Sequence, residues 1–253
     1  MRRGPACLLA PLVGLATIAA VGALVQGLLL ADVISVYIMP LPTQVLEALG
    51  RVVTQEHVAA RFLLTTLETA SAAALILVVG VPLAFLLYAS AVQRAAFEPW
   101  VAAWASAPLV LAYPLFLVLF GRSPLTPVVM GFASGLAPVV LKTLEGLDGI
   151  RPVLIGVGRS LQLSEAQIFR KILLPAALPA IFTGMRLGLT FCLINIVAVE
   201  FLINLGGLGQ LINEMAERYD LPGTWAAIGF VVLASMVFFI VAERAERWLQ
   251  RSH

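Results

Sequence analysis

Polar side chains are scarce in this 253-residue chain, and they gather in two places where type and spacing could do chemistry. The first is Gly156 to Pro175, where Arg159, Arg170 and Lys171 alternate with Leu161, Leu163, Ile168, Phe169 and Ile172 at spacings that form helical faces. Ser164 is placed to cap a helix, with Gln167 three residues on completing a capping box. Pro175 and Pro179 are expected to stop or restart the helix before the next apolar run. A basic, capped, amphipathic insert of this kind fits a docking surface for another protein and equally an ordinary positively charged loop. The second place is the apolar run 181–204, which holds Arg186, Asn195, Glu200 and Asn204. An ionisable group deep in lipid costs about 2.5–3.5 kcal/mol on insertion scales, so each needs a reason. Arg186 sits near one end and can snorkel to the interface. Glu200 and Asn204, four apart, share a face, whereas Asn195 lies roughly 140° around the helix from Glu200. For Glu200 two readings stand together: a group lining or gating a pathway, and a structural hydrogen bond to another helix.

Smaller clusters add less. Gly206-Gly-Leu-Gly209 permits a tight re-entry of the backbone after the run that carries Glu200. Thr65, Thr66, Glu68 and Thr69 make one end of another run polar, and threonine hydroxyls there can bond the backbone of their own helix. Cys7 and Cys192 are 185 positions apart, which suggests neither a disulfide framework nor a metal site. His57 and His253 are distant in sequence, so no histidine-based catalytic site is expected. There is no Walker A sequence, no Gly-x-Ser-x-Gly and no dinucleotide fingerprint.

The elements that must carry these groups are membrane spans. The chain is 61% hydrophobic and 12% charged, about half the charge of a soluble domain, and its mean hydropathy is +1.01. At about 20 residues per span, the length suits one membrane domain of about six helices. The expected spans are 7–31, 63–90, 99–120 (broken by Pro108 and Pro114), 125–141, 181–204 and 224–242. The first run is longer than a signal-peptide core and is read as a retained span; Arg2 and Arg3 before it act as anchors. Thr43 is expected to cap a short helix through Val45, Leu46, Leu49 and Val52 that lies flat on the membrane. Gln93, Arg94 and Glu98 mark a turn, and Pro82 permits a kink in the second span.

Basic residues set the orientation. With six spans, one side holds Arg2, Arg3, Arg94, Lys142, Arg151, Arg159, Arg170, Lys171, Arg244, Arg247 and Arg251; the other holds Arg51, Arg61, Arg122 and Arg218. Eleven against four places both termini and the polar insert in the cytoplasm. The expected organisation is an N-terminal span with an interfacial helix (1–62), a core (63–247) with the insert at 143–180, and a tail (248–253).

At the insert the chain resembles a known family. Arg159-Ser-Leu, the capped turn and Ile168-Phe-Arg-Lys-Ile-Leu-Leu-Pro-Ala-Ala-Leu-Pro-Ala-Ile181 resemble the cytoplasmic EAA loop of ABC-importer permeases. That motif reads Glu-Ala-Ala, three residues, Gly, nine residues, then Ile-x-Leu-Pro. Ile172-Leu-Leu-Pro175 fills its end, while Gly156-Val157-Gly158 stand where Glu-Ala-Ala is expected and Gln162 where Gly is expected. Leu41-Pro-Thr-Gln-Val-Leu-Glu-Ala-Leu49, Gly80-Val-Pro-Leu, Pro108-Leu-Val-Leu-Ala-Tyr-Pro and Val199-Glu-Phe-Leu with Gly207-Leu-Gly-Gln-Leu-Ile212 resemble its nitrate/sulfonate/taurine branch. The resemblance covers about residues 40–247. It implies an all-α integral membrane permease with a cytoplasmic coupling-helix loop, set in the inner membrane of a bacterial-type cell. It also implies a dimer of two permease copies, a separate ATPase that binds ATP and Mg, and an extracytoplasmic binding protein, with no cofactor in this chain and no nucleic acid. The coupling residues it implies are Arg159, Ser160, Leu161, Gln162, Ser164, Phe169 and Arg170, with Leu161 and Phe169 filling a groove on the ATPase. Asn195, Glu200 and Asn204 are the candidates for translocation or gating. The expected cargo is a small anionic, organic-acid or sulfonate-like solute. Glycine at that place permits a left-handed turn, in which Gln162 would be strained by about 1–2 kcal/mol; either the turn is built differently or the ATPase partner has adapted. The rival is an ion-coupled secondary transporter or channel, for which Glu200 and Glu68 are the only deep acidic groups.

Overall fold

The computed structural model describes residues 6–35 and 38–251. Arg2, Arg3 and His253 lie outside them, as do the side chains of Cys7 and Arg251. The described elements are helical: α1 (Ala6–Leu30), α2 (Pro42–Gln55), α3 (Val58–Ala89), α4 (Ala91–Ser106), a 3-10 turn (Leu109–Ala112), α5 (Tyr113–Phe120), α6 (Leu125–Asp148), α7 (Pro152–Ser160), α8 (Glu165–Ile168), a π-turn (Phe169–Leu173), α9 (Leu174–Ile203), α10 (Gly207–Glu217) and α11 (Leu221–Arg251). Five of the described helices are long and apolar enough to cross a bilayer, and α4 with the 3-10 turn and α5 makes a sixth, bent by 89°. The all-α membrane class and about six spans are as expected.

Three local expectations change. The break before the third span falls at Ser90, whose side chain accepts from Gln93 N–H at 3.3 Å and so starts α4 early, drawing Gln93, Arg94 and Glu98 into the helix. Pro175 and Pro179 do not interrupt the chain's longest helical run, Glu165–Ile203. Pro179 is carried inside α9, and Pro175 sits in its first turn, directly after the π-turn whose wider i→i+5 bonding closes from Leu174 N–H to Phe169 C=O. α2 is capped at Leu41, with Pro42 at its start and the Gln44 side chain accepting from Leu41 N–H at 3.2 Å; Thr43 lies within the first turn.

Contacts divide the chain into two compact units, Met1–Ala59 with Leu211–Val232, and Ala60–Gln210 with Leu233–His253. In the first, part of the apolar face of α2 packs on protein. Ala48 and Val52 are buried against Val58, Leu211, Met215, Ala226 and Ala227, because these side chains offer closer packing than headgroups do; Leu46 alone of the stripe stays well exposed. Gln26 on α1 reaches Thr43 on α2.

The second unit is built on the pairing of α6 with α9. Gly135 on α6 and Gly188 on α9 meet backbone to backbone, the close approach that small residues allow between membrane helices, while Gly131 makes room for Cys192 and Ile196 and Gly184 lies against Val139. A Cβ on Gly135 would stand 2.7 Å from the Gly188 carbonyl oxygen, and one on Gly188 2.8 Å from that of Gly135. Around this seam Ala72, Ile76, Val139, Cys192 and Ile196 form a buried layer. At one end of the unit Arg94 makes two 2.6 Å bonds to the Asp148 carboxylate and another to Glu98, tying α4 to the end of α6.

Candidate functional site

The insert folds as a helical hairpin. Pro152 starts α7, and the helix ends in a Schellman turn: Gln162 N–H donates to Arg159 C=O at 2.9 Å and Leu163 N–H to Gly158 C=O at 3.1 Å. Gln162 occupies the left-handed position of that turn, with φ +54°. The turn is therefore not built differently: glutamine takes the left-handed place that glycine would fill. Ser164 then caps α8 as expected, accepting from Gln167 N–H at 3.3 Å while the Gln167 side chain accepts from Ser164 N–H at 2.9 Å.

The residues at the diverged half of the motif have distinct surroundings. Gly158 is buried, and a Cβ there would stand 2.7 Å from Ile172 Cδ1, so the isoleucine of the Ile-Leu-Leu-Pro end occupies the space an alanine methyl would take. Gly156 faces open space. Between α7 and the start of α9 runs a groove of about 460 Å³, lined by Leu154, Val157, Leu161, Leu163 and Ile172 with Lys171 at its edge.

Arg159, Ser160, Leu161, Gln162, Ser164 and Arg170 all lie on the hairpin surface, and Leu161 is 68% exposed. Phe169 departs from the expected arrangement. Its ring is half-buried, edge-on to Phe85 of α3 at 4.7 Å between centroids, so it fastens the hairpin to the bundle and does not project from it. Phe169 is also the first residue of the π-turn.

The polar groups of α9 separate into three environments. Arg186 lies over the Phe239 ring, 5.8 Å from its centroid. Phe239 is one turn before Glu243, so the guanidinium is at the charged end of α11, consistent with snorkelling. Asn195 bonds its own helix, Nδ2 donating to Phe191 C=O at 3.0 Å. Glu200 is fully buried. Its Oε1 accepts from Thr65 Oγ1 at 2.7 Å and its Oε2 from Gly209 N–H at 2.8 Å, while Leu208 N–H donates to Thr65 Oγ1 at 3.0 Å. The carboxylate and the hydroxyl together satisfy the free N–H groups at the start of α10, the positive end of that helix.

The glycine run makes this possible. Gly206 and Gly207 are left-handed (φ +102° and +73°), a Cβ on Gly207 would overlap the Glu200 carboxylate, and one on Gly209 would overlap the Val197 carbonyl. Asn204, expected on the face of Glu200, is the left-handed residue (φ +51°) that ends α9, its N–H donating to Glu200 C=O at 3.1 Å, and Arg122 Nη2 donates to the Ile203 and Asn204 carbonyls at 2.7 and 3.3 Å. Thr65 Oγ1 bonds its own helix as expected, through Arg61 C=O at 3.3 Å, as Thr66 and Thr69 do theirs, and it also reaches across to α9. Its partner Glu200 is 135 positions away. Glu68, three residues after Thr65 on the same face, is buried with one carboxylate oxygen lacking a hydrogen-bond partner.

Comparison with known proteins follows these features. The taurine transport system permease protein TauC of Escherichia coli is 29% identical over 229 residues, covering 87% of this chain and 80% of that protein. The nitrate import permease protein NrtB of Synechocystis is 33% identical over 135 residues, covering 53% of this chain and 49% of its own length. A chain of the MetNI methionine ABC transporter superposes with a TM-score of 0.65 at 20% identity, over 75% of this chain and 94% of that one, and so shares the fold. Residues 76–252, which include the hairpin, the α6–α9 seam and the Glu200 junction, match the model of the binding-protein-dependent transport system inner membrane component, and the chain belongs to that family of ABC-transporter permeases.

Proposed function

We propose that two copies of this chain form the pathway of an importer for a small anionic, sulfonate-like solute, with the α7–α8 hairpin as the piece that a separate ATPase moves. As a permease subunit the chain is not itself catalytic. ATP and Mg would be bound by the partner. The observation that carries the reading is the hairpin: a rigid turn, closed by a Schellman motif on one side and a capping box on the other, that presents Leu161 directly after exposed Arg159 and Ser160. An exposed apolar anchor among guanidinium groups suits a groove with acidic edges. Phe169 serves this arrangement as a positioning residue through Phe85, transmitting movement of the hairpin to α3. Similarity to taurine and nitrate permeases supports the solute class. The excess of basic residues on one side supports cytoplasmic termini.

The test is co-purification and reconstitution. Leu161→Asp is expected to release the ATPase subunit while the permease remains folded, and vesicles holding only this chain are expected to show no uphill uptake of taurine or nitrate. Concentrative uptake by the chain alone would overturn the reading.

A further inference from the structure

The turn between α10 and α11 is a second Schellman turn, with Tyr219 N–H donating to Ala216 C=O at 3.0 Å and Asp220 N–H to Met215 C=O at 3.1 Å. Tyr219 takes the left-handed position, φ +57°. Its ring is 92% exposed, the most exposed large hydrophobic side chain among the described residues. Two ion pairs hold the turn from below. Arg51 of α2 bonds Asp220 at 2.5 Å, and Arg218 bonds Glu56 at 2.7 Å. Asp220 also caps α11, accepting from Gly223 N–H at 3.0 Å.

The pairs are asymmetric. The guanidinium side chains of Arg51 and Arg218 are 50% and 55% exposed, whereas their partners Asp220 and Glu56 are 21% and 18% exposed. Glu214, also near Arg218, is similarly turned under, and exposed Glu217 is engaged by Asn213 Nδ2 at 2.8 Å. The turn thus exposes Tyr219 next in sequence to Arg218 and to Asp220, the partner of Arg51, so an aromatic ring and two half-exposed cations belong to one turn locked by hydrogen bonds and ion pairs. Tyrosine and arginine on a rigid support are the side chains that anchor protein interfaces, since little conformational freedom remains to be lost on contact.

We propose that Tyr219, flanked by Arg51 and Arg218, is an anchor for the extracytoplasmic solute-binding protein, which would present an apolar socket with a carboxylate rim. The inference rests on the importer reading and on the orientation that puts Arg51 and Arg218 outside. A ring at the lipid headgroup level is the competing occupant, and it predicts a different adduct.

The experiment places p-benzoylphenylalanine at position 219, and separately at position 161, in the intact transporter in cells, followed by ultraviolet light and mass spectrometry of the adducts. An adduct of position 219 with a solute-binding protein is the expected result; adducts only with lipid or with a second copy of this chain overturn the proposal. The position 161 arm tests the importer reading independently, because it should capture the ATPase whether or not Tyr219 contacts anything. Tyr219→Asn supplies the second readout, since asparagine tolerates the left-handed backbone. In the reconstituted complex, the binding-protein concentration for half-maximal ATPase stimulation should rise about tenfold or more, with the unstimulated rate unchanged. An unchanged midpoint overturns the proposal, whereas a wild-type complex that no binding protein stimulates would instead sink the importer reading.

Discussion

Replacing Gln162 with glycine tests whether the hairpin turn is held against local strain. At φ +54° a residue with a Cβ is disfavoured by about 1–2 kcal/mol relative to glycine. Glycine also gives the opened chain more freedom, which offsets about 0.4–1 kcal/mol of that gain. The net stabilisation of the closed turn is therefore about 0.5–1 kcal/mol. The reporter is Leu163 N–H, which donates to Gly158 C=O at 3.1 Å and is freed only when the turn opens. Hydrogen–deuterium exchange of the detergent-solubilised complex, read as a protection factor at Leu163, should slow about two- to fivefold in Gln162→Gly, following the usual conversion of opening free energy to exchange. Gln162→Val should move the other way, because a β-branched residue is a still poorer occupant of that region. Uptake in Gln162→Gly is expected to stay intact, since the backbone path does not change. Equal or faster exchange at Leu163 in the glycine variant would refute the strain argument and mean that the turn is held from outside the hairpin.

Three further outcomes follow from the packing. Glu200→Ala leaves Gly209 N–H and the Thr65 hydroxyl without their acceptor in a buried site, and should cost about 1–3 kcal/mol in unfolding followed by tryptophan fluorescence; paired with Thr65→Val, the two effects should be clearly less than additive. Gly135→Val should abolish recovery of folded protein from detergent, because its side chain would meet the Gly188 backbone, whereas Gly156→Ala, facing open space, should be recovered at the wild-type level. Asp148→Asn removes a partly exposed partner of Arg94 and should cost less than about 1 kcal/mol, with the effect shrinking as salt is raised in the same unfolding assay.

The sequence by itself determined the membrane class, the count of about six spans and the Ser164–Gln167 cap. Each depends on composition or on residues within a few positions of one another, where period and capping chemistry act directly. It also singled out Glu200 as a buried group in need of a partner, and Gln162 as the doubtful residue of its turn. The partner of Glu200 was out of reach: Thr65 lies 135 positions away, and only the close crossing of glycine backbones brings the start of α10 onto the carboxylate. The family resemblance makes Phe169 a surface anchor, and only the tertiary structure shows its ring edge-on to Phe85, 84 positions earlier in the chain. The stripe of α2 reads from the sequence as membrane-facing, although periodicity reports that a face is apolar and never what covers it. Tertiary structure decided that between Val58, Leu211 and Met215, side chains brought together only by the folding of distant segments.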